Sequence, residues 1–383
     1  MISTPFTPDL VRGAAELETV ARGVTPHRLP AWVGRQFPDP QLRSMEAQPS
    51  GVCLTFETAA TVIELVTHPS RVAYRGFDRP RGRIDVVVDG VLRRRDELAG
   101  GDSVEVDLQT GGSTARPGGT HTTRVDDLGE GSKVVEIWLP HNEALDLVDL
   151  RTDAPIAPLT DRRRRWVHHG SSISQGSNAV APTEIWPVAA ARAAGGIELR
   201  NLGLGGSAQV DPFLARVIRD APADLISVKL GINVVNLDGF RLRTFVPAVH
   251  GFLDTIRDGH PDTPLLVVSP IFCGIHESTP GPGAFDPTSF TTGRVRFVAT
   301  GSPADVARGS LTLEVIRDAL RAVVETRSDD PHLHYLDGLD LYGAADAEAL
   351  PLPDALHPDA EAHSLIARRF VERAFGRGAP FAR

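Results

Sequence analysis

Two stretches far apart in the chain hold the residue types of a nucleophile and its base: Gly170-Ser171-Ser172 in "WVHHGSSISQGSNA", and Asp354 with His357 in "PLPDALHPDAEAH". A serine hydroxyl is a poor nucleophile alone. It attacks a carbonyl when a base takes its proton, an acid orients that base, and donors stabilise the oxyanion. Asp354 and His357 are separated by two residues in a loop before Pro358, which starts the last helix. That spacing lets the carboxylate accept from one ring nitrogen while the other faces outward. Two further turns are expected to supply the oxyanion donors: "NLGLGGSAQ" with the unobstructed backbone N–H of Gly206, and "LGINVVN" with the side-chain amide of Asn233. Together these residues point to acyl transfer through a covalent serine intermediate.

Rival stretches read as ordinary structure. Gly101-Asp102-Ser103 leads into the alternating "VEVDL" and is a strand entry. Gly203, Gly205 and Ala208 form a G-x-G-x-x-A, but this follows the second strand of its unit, and the next strand ends "VKLG" without the acidic residue a dinucleotide site needs. His168 and His169 lie on a strand and face opposite sides; either is a secondary candidate for substrate contact, with packing as the competing role. His363 reads as a helix-surface residue. His332 and His334 share a strand face with no third ligand near, so neither a metal nor a cofactor is expected.

These residues need a scaffold. From about residue 50 to 150 the chain alternates with period two, and Asp89-Gly90 between apolar runs signals a tight hairpin. Short strands broken by Gly, Pro and Asp turns suggest a jelly-roll-like β-sandwich, with residues 1–45 draped over it or adding an edge. After the linker "TDAPIAPLTDRRRR" strands and helices alternate about five times, and "PLLVVSPIF" is as apolar as a buried parallel strand should be. The fold class is therefore α/β: a sandwich over residues 1–155, then a parallel sheet with helices on both faces over 156–383. In such sheets ligands bind beyond the carboxyl ends of the strands, where Gly170-Ser171-Ser172 falls. The irregular segment from Cys273 to about Thr300 is expected to be a lid or acceptor wall, with Phe285 and Phe290 as apolar cover. Ser302 and Pro303 announce the helix after it.

Bulk composition narrows the class. A 383-residue chain with 41% hydrophobic and 23% charged residues is globular, with two domains expected. The net charge of −9 and the lack of a basic stripe exclude nucleic acid; the one dense run, "RRRRW" at 162–166, reads as a solvated linker. No apolar run reaches the roughly 18 residues that span a bilayer, so no membrane partner is expected. The opening "MISTPFTPDLVRGAAELE" lacks an apolar signal region, and Cys53 and Cys273 are too few for a disulfide framework, so a cytoplasmic enzyme is expected.

"GSSIS", "NLGLGGS", "GINVVN" and "DALHPD" occur in an order and spacing that resembles the SGNH (GDSL-type) hydrolase family. The resemblance implies that Ser172 is the nucleophile. The N–H groups of Ser172 and Gly206 and the amide of Asn233 would form the oxyanion hole, and Asp354 and His357 would be acid and base. It also implies a flavodoxin-like three-layer α/β/α domain with a parallel five-stranded sheet. Ser171 stands where the family usually has aspartate, and Val234 where an aspartate commonly follows the asparagine; neither position carries the proton transfer. "RLPAWVGRQFPDPQLRSMEAQPSGV" and "YLDGLDLYG" resemble a bacterial subgroup with a dedicated N-terminal sandwich, which includes a salicylyl acyltransferase of tetracycline tailoring. This implies an O-acyltransferase or esterase of natural-product tailoring. Its partners would be a small-molecule acyl donor (an ester or an acyl-thioester such as acyl-CoA) and an alcohol acceptor or water. The alternatives are a carbohydrate or small-molecule O-acetyl esterase with a sugar-binding sandwich, and a non-catalytic glycan-binding protein. The filled chemical positions argue against the last.

Overall fold

Asp89 and Gly90 both have positive φ, 48° and 80°, and join the strands Arg83–Val88 and Val91–Glu97 as the hairpin signal requires. The computed structural model describes residues 1–383 except Asp78, Leu108, Gln109, Asp161, Arg162, Gly293, Arg294 and Arg383, and the side chains of Thr291 and Thr292. Leu108-Gln109 at the end of one expected strand, Arg162 of the basic run and Gly293-Arg294 of the long loop thus lie outside the described residues.

The chain divides into two units. Met1–Arg162 with Val180–Thr183 forms one, and Arg163–Ala179 with Glu184–Arg383 forms the other. In the first, an eight-stranded and a six-stranded sheet share one apolar core, with Leu65 and Leu147 from one and Phe56 and Val135 from the other. The strand Ala144–Thr152 shows how sequence sets its inward face. Leu145 and Leu147 point inward, a register shift follows before Asp149, and Leu150 and Thr152 are then the buried pair. The N-terminal residues do add edges: Ile2–Thr4 pairs with Ala144–Thr152, and the hairpin Glu16–Val20/Gly23–His27 extends the same sheet. Asp102 of the Gly-Asp-Ser accepts from the Gly118 N–H at 3.0 Å and from Arg22 at 2.8 Å, and Ser103 pairs within the sheet.

His27 links that hairpin to the helix Pro40–Glu46. Its Nδ1 lies 2.8 Å from Glu46 and its Nε2 2.9 Å from Glu18. The hydrogen bond to Glu46 leads in raising its pKa from 6.5 to about 9, against the opposing effect of burial. Because the folded value lies above the unfolded one, the stabilisation is complete below about pH 6.5 and is lost as pH rises through about 9, amounting to at most about 3 kcal/mol. The gap in Tm between the wild type and His27→Gln should therefore narrow across that interval. A gap independent of pH would show that the imidazole is not held protonated.

The second unit is built on five parallel strands: β1 (Arg164–Gly170), β2 (Ile197–Gly203), β3 (Leu225–Lys229), β4 (Leu265–Val268) and β5 (Leu333–Leu336), in the order β2-β1-β3-β4-β5. That is the flavodoxin-like order, whose switch point lies beyond the carboxyl end of β1. Every residue of β3 and β4 is buried, as strands covered on both faces must be. The helices are α1 (Ser172–Gln175), α2 (Trp186–Ala194), α3 (Pro212–Asp220), α4 (Ile232–Asn236), α5 (Leu242–Arg257), α6 (Leu313–Thr326) and α7 (Ala360–Phe370), with a short one at Ala344–Ala349. Alternate residues of β1 meet opposite layers: Trp166 stacks on Phe370 of α7 at 5.1 Å, while His169 stacks on Phe252 of α5 at 6.1 Å.

Three expectations change here. Arg164 and Arg165 of the basic run open β1 rather than a solvated linker, and Arg164 donates to the Phe381 carbonyl at 2.9 Å. Ser302 and Pro303 start only a 3₁₀ turn, Pro303–Arg308, because Gly309 at φ 89° ends it; α6 begins at Leu313 with Thr312 as its cap. His363 is fully buried, not on a surface. Its Nδ1 accepts from the Trp186 N–H, its Nε2 donates to the Ser177 carbonyl, and burial pushes its pKa down to about 4. Among the described residues, no helix is long and apolar enough to cross a membrane.

Candidate active site

The four serines after β1 have separate fates. Ser171 is the N-cap of α1, its hydroxyl accepting from the Ile173 N–H at 3.3 Å. The Ser174 hydroxyl is buried against His168 Nε2 at 2.8 Å. Ser177 uses its carbonyl to hold His363. Ser172 stands first in α1, half-buried, with Oγ 2.9 Å from His357 Nε2. Gly176, at φ 113°, ends α1 after one turn.

His357 is oriented from behind. Its Nδ1 lies 2.7 Å from Asp354 Oδ2, while Asp354 Oδ1 accepts the backbone N–H groups of Leu356 at 2.9 Å and His357 at 2.7 Å. This tight turn puts Ala355 at φ 68°, in the left-handed region. Burial by itself would favour the neutral acid, but the bonds from the His357 side chain and the two backbone N–H groups outweigh it and hold Asp354 below the usual carboxylate range. The Asn178 amide also reaches this corner, 3.3 Å from Asp354 Oδ2.

The two expected oxyanion donors sit on turns bonded to their neighbours. Gly205 donates to Gln175 Oε1 at 2.8 Å, which ties the turn after β2 to α1. Gly206 follows at φ 69°, exposed, and its N–H donates to no described group. Ala208 donates to Asn233 Oδ1 at 3.1 Å, which fixes that oxygen and leaves the amide nitrogen at the opposite edge of the planar carboxamide. Asn233 itself rides on α4, which starts after Gly231 at φ 132°.

Neither histidine of β1 lines this site. His168 is fully buried, bonded through Nδ1 to Ser227 Oγ at 2.7 Å and through Nε2 to Ser174, and His169 is equally buried with Nδ1 on the Leu202 carbonyl at 2.9 Å. Burial lowers the pKa of both, that of His169 to about 4, so they are neutral packing residues and not substrate contacts. A strand in the middle of a covered sheet has no solvent face to offer a ligand.

The long segment after β4 is partly ordered into a hairpin, Gly283–Phe285 paired with Phe297–Ala299. Phe290 lies 6.5 Å from Phe285 between ring centroids, Phe285 lies 5.1 Å from Phe297, and Phe297 meets the His357 ring edge-on at 5.5 Å. Phe285 is exposed. Phe297, whose N–H also donates to the Asp354 carbonyl at 2.9 Å, is the member that the sequence reading missed. Its signal was the short apolar alternation of "VRFVA" inside an otherwise irregular stretch.

A model of the GDSL-like lipase/acylhydrolase family matches residues 169–365, and a model of the SsfX3 N-terminal domain matches residues 10–148. The salicylyl-acyltransferase SsfX3 from a tetracycline biosynthetic pathway is similar at 28% identity, covering 96% of this chain and 94% of that one, with a TM-score of 0.78. A family two carbohydrate esterase from Cellvibrio japonicus shares the fold at 14% identity, with coverage of 96% and 94% and a TM-score of 0.56. An acetyl xylan esterase from the rumen bacterium Butyrivibrio proteoclasticus does so at 13%, with coverage of 97% and 98% and a TM-score of 0.50. No curated protein gives a significant match.

Proposed function

The chain belongs to the GDSL-like lipase/acylhydrolase family, and from that premise we propose that it is an O-acyltransferase in which Ser172 carries the acyl group, His357 moves the proton and Asp354 orients the imidazole. Membership makes it an enzyme of serine-dependent acyl transfer or ester hydrolysis, using a small-molecule acyl donor with an acceptor or water. The 2.9 Å contact between Ser172 Oγ and His357 Nε2 carries the assignment of residues.

In the first step Ser172 Oγ bonds to the carbonyl carbon of an ester or thioester as its proton passes to His357 Nε2. The carbonyl π electrons move to oxygen, where the N–H groups of Ser172 and Gly206 and the Asn233 amide donate. Collapse of this intermediate breaks the bond to the leaving group, which takes the proton from His357. In the second step His357 takes a proton from an acceptor hydroxyl, whose oxygen attacks the acyl carbon; Ser172 Oγ leaves and recovers that proton. Asp354 stays ionised throughout and stabilises the imidazolium.

Transfer, rather than hydrolysis, is supported by the likeness to SsfX3 in both parts of the chain. The Phe285–Phe297 pair beside His357 also favours it, as an apolar surface on which an aromatic acyl group or polycyclic acceptor displaces water. Salicylyl transfer to a tetracycline-type acceptor is the narrowest form of this reading, with an acyl-thioester such as acyl-CoA as donor. Partition kinetics test it. With p-nitrophenyl or CoA esters as donors, increasing concentrations of a polycyclic alcohol or phenol should divert product from free acid to ester, while small alcohols divert less. If no acceptor competes with water, the protein is an esterase.

A further inference from the structure

His357 and the Leu356 backbone account for three of the four hydrogen bonds to the Asp354 carboxylate among the described residues. The fourth comes from Asn178. Asp354 Oδ1 accepts the N–H groups of Leu356 and His357, and Oδ2 accepts His357 Nδ1–H and the amide of Asn178 at 3.3 Å. The same amide nitrogen lies 3.5 Å from the His357 carbonyl oxygen. A carboxylate has about four acceptor positions, so this set fills it. Asn178 belongs to the loop that follows α1, and its targets belong to the loop before α7; the bond therefore joins the loop beyond the nucleophile to the loop bearing acid and base. The backbone at Asn178 is left-handed, φ 65°, a conformation that asparagine tolerates better than other side-chain-bearing residues. Its side chain is exposed, so the residue type is not set by core packing.

We propose that Asn178 is a positioning residue, whose side-chain amide clamps the Asp354 carboxylate and the His357 backbone to the nucleophile loop. The inference rests on the assignment of Ser172, His357 and Asp354 as the reacting set. Loss of the amide frees Oδ2 to rotate away from Nδ1, and a negative charge in its place strengthens the field that favours imidazolium. The other titratable groups at this corner are Cys273, His363 and Asp359. Cys273, its thiol pushed up to about 12 chiefly by burial, donates to the Ala355 carbonyl; His363 is fully buried, its Nε2 on the Ser177 carbonyl, and Asp359 caps α7.

The test uses full-length wild type, Ser172→Ala, Asn178→Gly and Asn178→Asp, assayed by p-nitrophenyl acetate turnover across the pH range. Asn178→Gly removes the donor while keeping the left-handed backbone unstrained; Asn178→Asp keeps the shape and reverses the electrostatics. Asn178→Gly is expected to lower kcat/KM on the plateau about 10-fold. Asn178→Asp is expected to move the acidic limb of kcat/KM upward by about one pH unit. An acidic limb at the wild-type position in Asn178→Asp overturns the proposal, whatever the plateau does, because a merely structural loss would not move it. A wild-type plateau in Asn178→Gly likewise overturns it, whether or not Asn178→Asp folds. Full turnover by Ser172→Ala would instead overturn the assignment of the reacting set, a separable result.

Discussion

Ser172→Ala is expected to lower kcat/KM for ester substrates by roughly 10⁴–10⁶-fold and to abolish labelling by a fluorophosphonate. The size of the effect follows from the division of labour among the serines. Ser172 Oγ is the hydroxyl that meets His357, whereas Ser171 is spent on capping α1 and Ser174 on His168. The substitution also leaves the fold alone, since the helix keeps its cap and no buried partner loses a bond except the imidazole that faces the site. An unchanged Tm should accompany the lost activity. Ser171→Ala makes the opposite pattern, costing about 1 kcal/mol of stability through the lost cap while the labelling persists. Labelling at Ser171 or Ser174 with Ser172 untouched would refute the assignment.

Much of this site could be read from the sequence because its parts sit at element ends, where local patterns are strongest. The change from period two to strand–helix alternation separates the two halves, and "NLGLGGSAQ", "LGINVVN" and "DALHPD" each mark a strand-to-helix turn with residue types that suit donors or a base. Apolar continuity in β3 and β4 announces burial on both faces. What escaped depends on distant pairing. Nothing near Asn178 signals a bond to a residue 176 positions away, and nothing in "VRFVA" says that Phe297 will meet an imidazole. The histidines show the same limit from the other side. His168, His169 and His363 look available as residue types, yet elements from elsewhere in the chain bury each of them, and that burial keeps them neutral. The two-histidine run is enclosed by its own sheet, whereas the single histidine in a short loop, with an aspartate three residues before it, is the one that meets Ser172.

Asp354→Asn should lower kcat about 10⁴-fold with little change in stability, and the hydrogen bonds at this corner explain why the asparagine cannot compensate. Its side chain has one acceptor and one donor end. The Oδ1 position receives two backbone N–H groups, from Leu356 and His357, so the amide oxygen must occupy it. The NH₂ group then falls where Oδ2 stood, 2.7 Å from His357 Nδ1. Facing a donor, Nδ1 must act as the acceptor, which puts the ring proton on Nε2 and points it at Ser172. The base is then present, correctly placed and in the tautomer that cannot take a proton. The same NH₂ also faces the Asn178 amide, so that bond is lost as well. Asp354→Ala, which imposes no tautomer, should retain more activity than Asp354→Asn when measured by p-nitrophenyl ester turnover. If Asp354→Asn loses less than about 10-fold, the carboxylate does not set the tautomer of His357, and the imidazole must be oriented by something other than this bond.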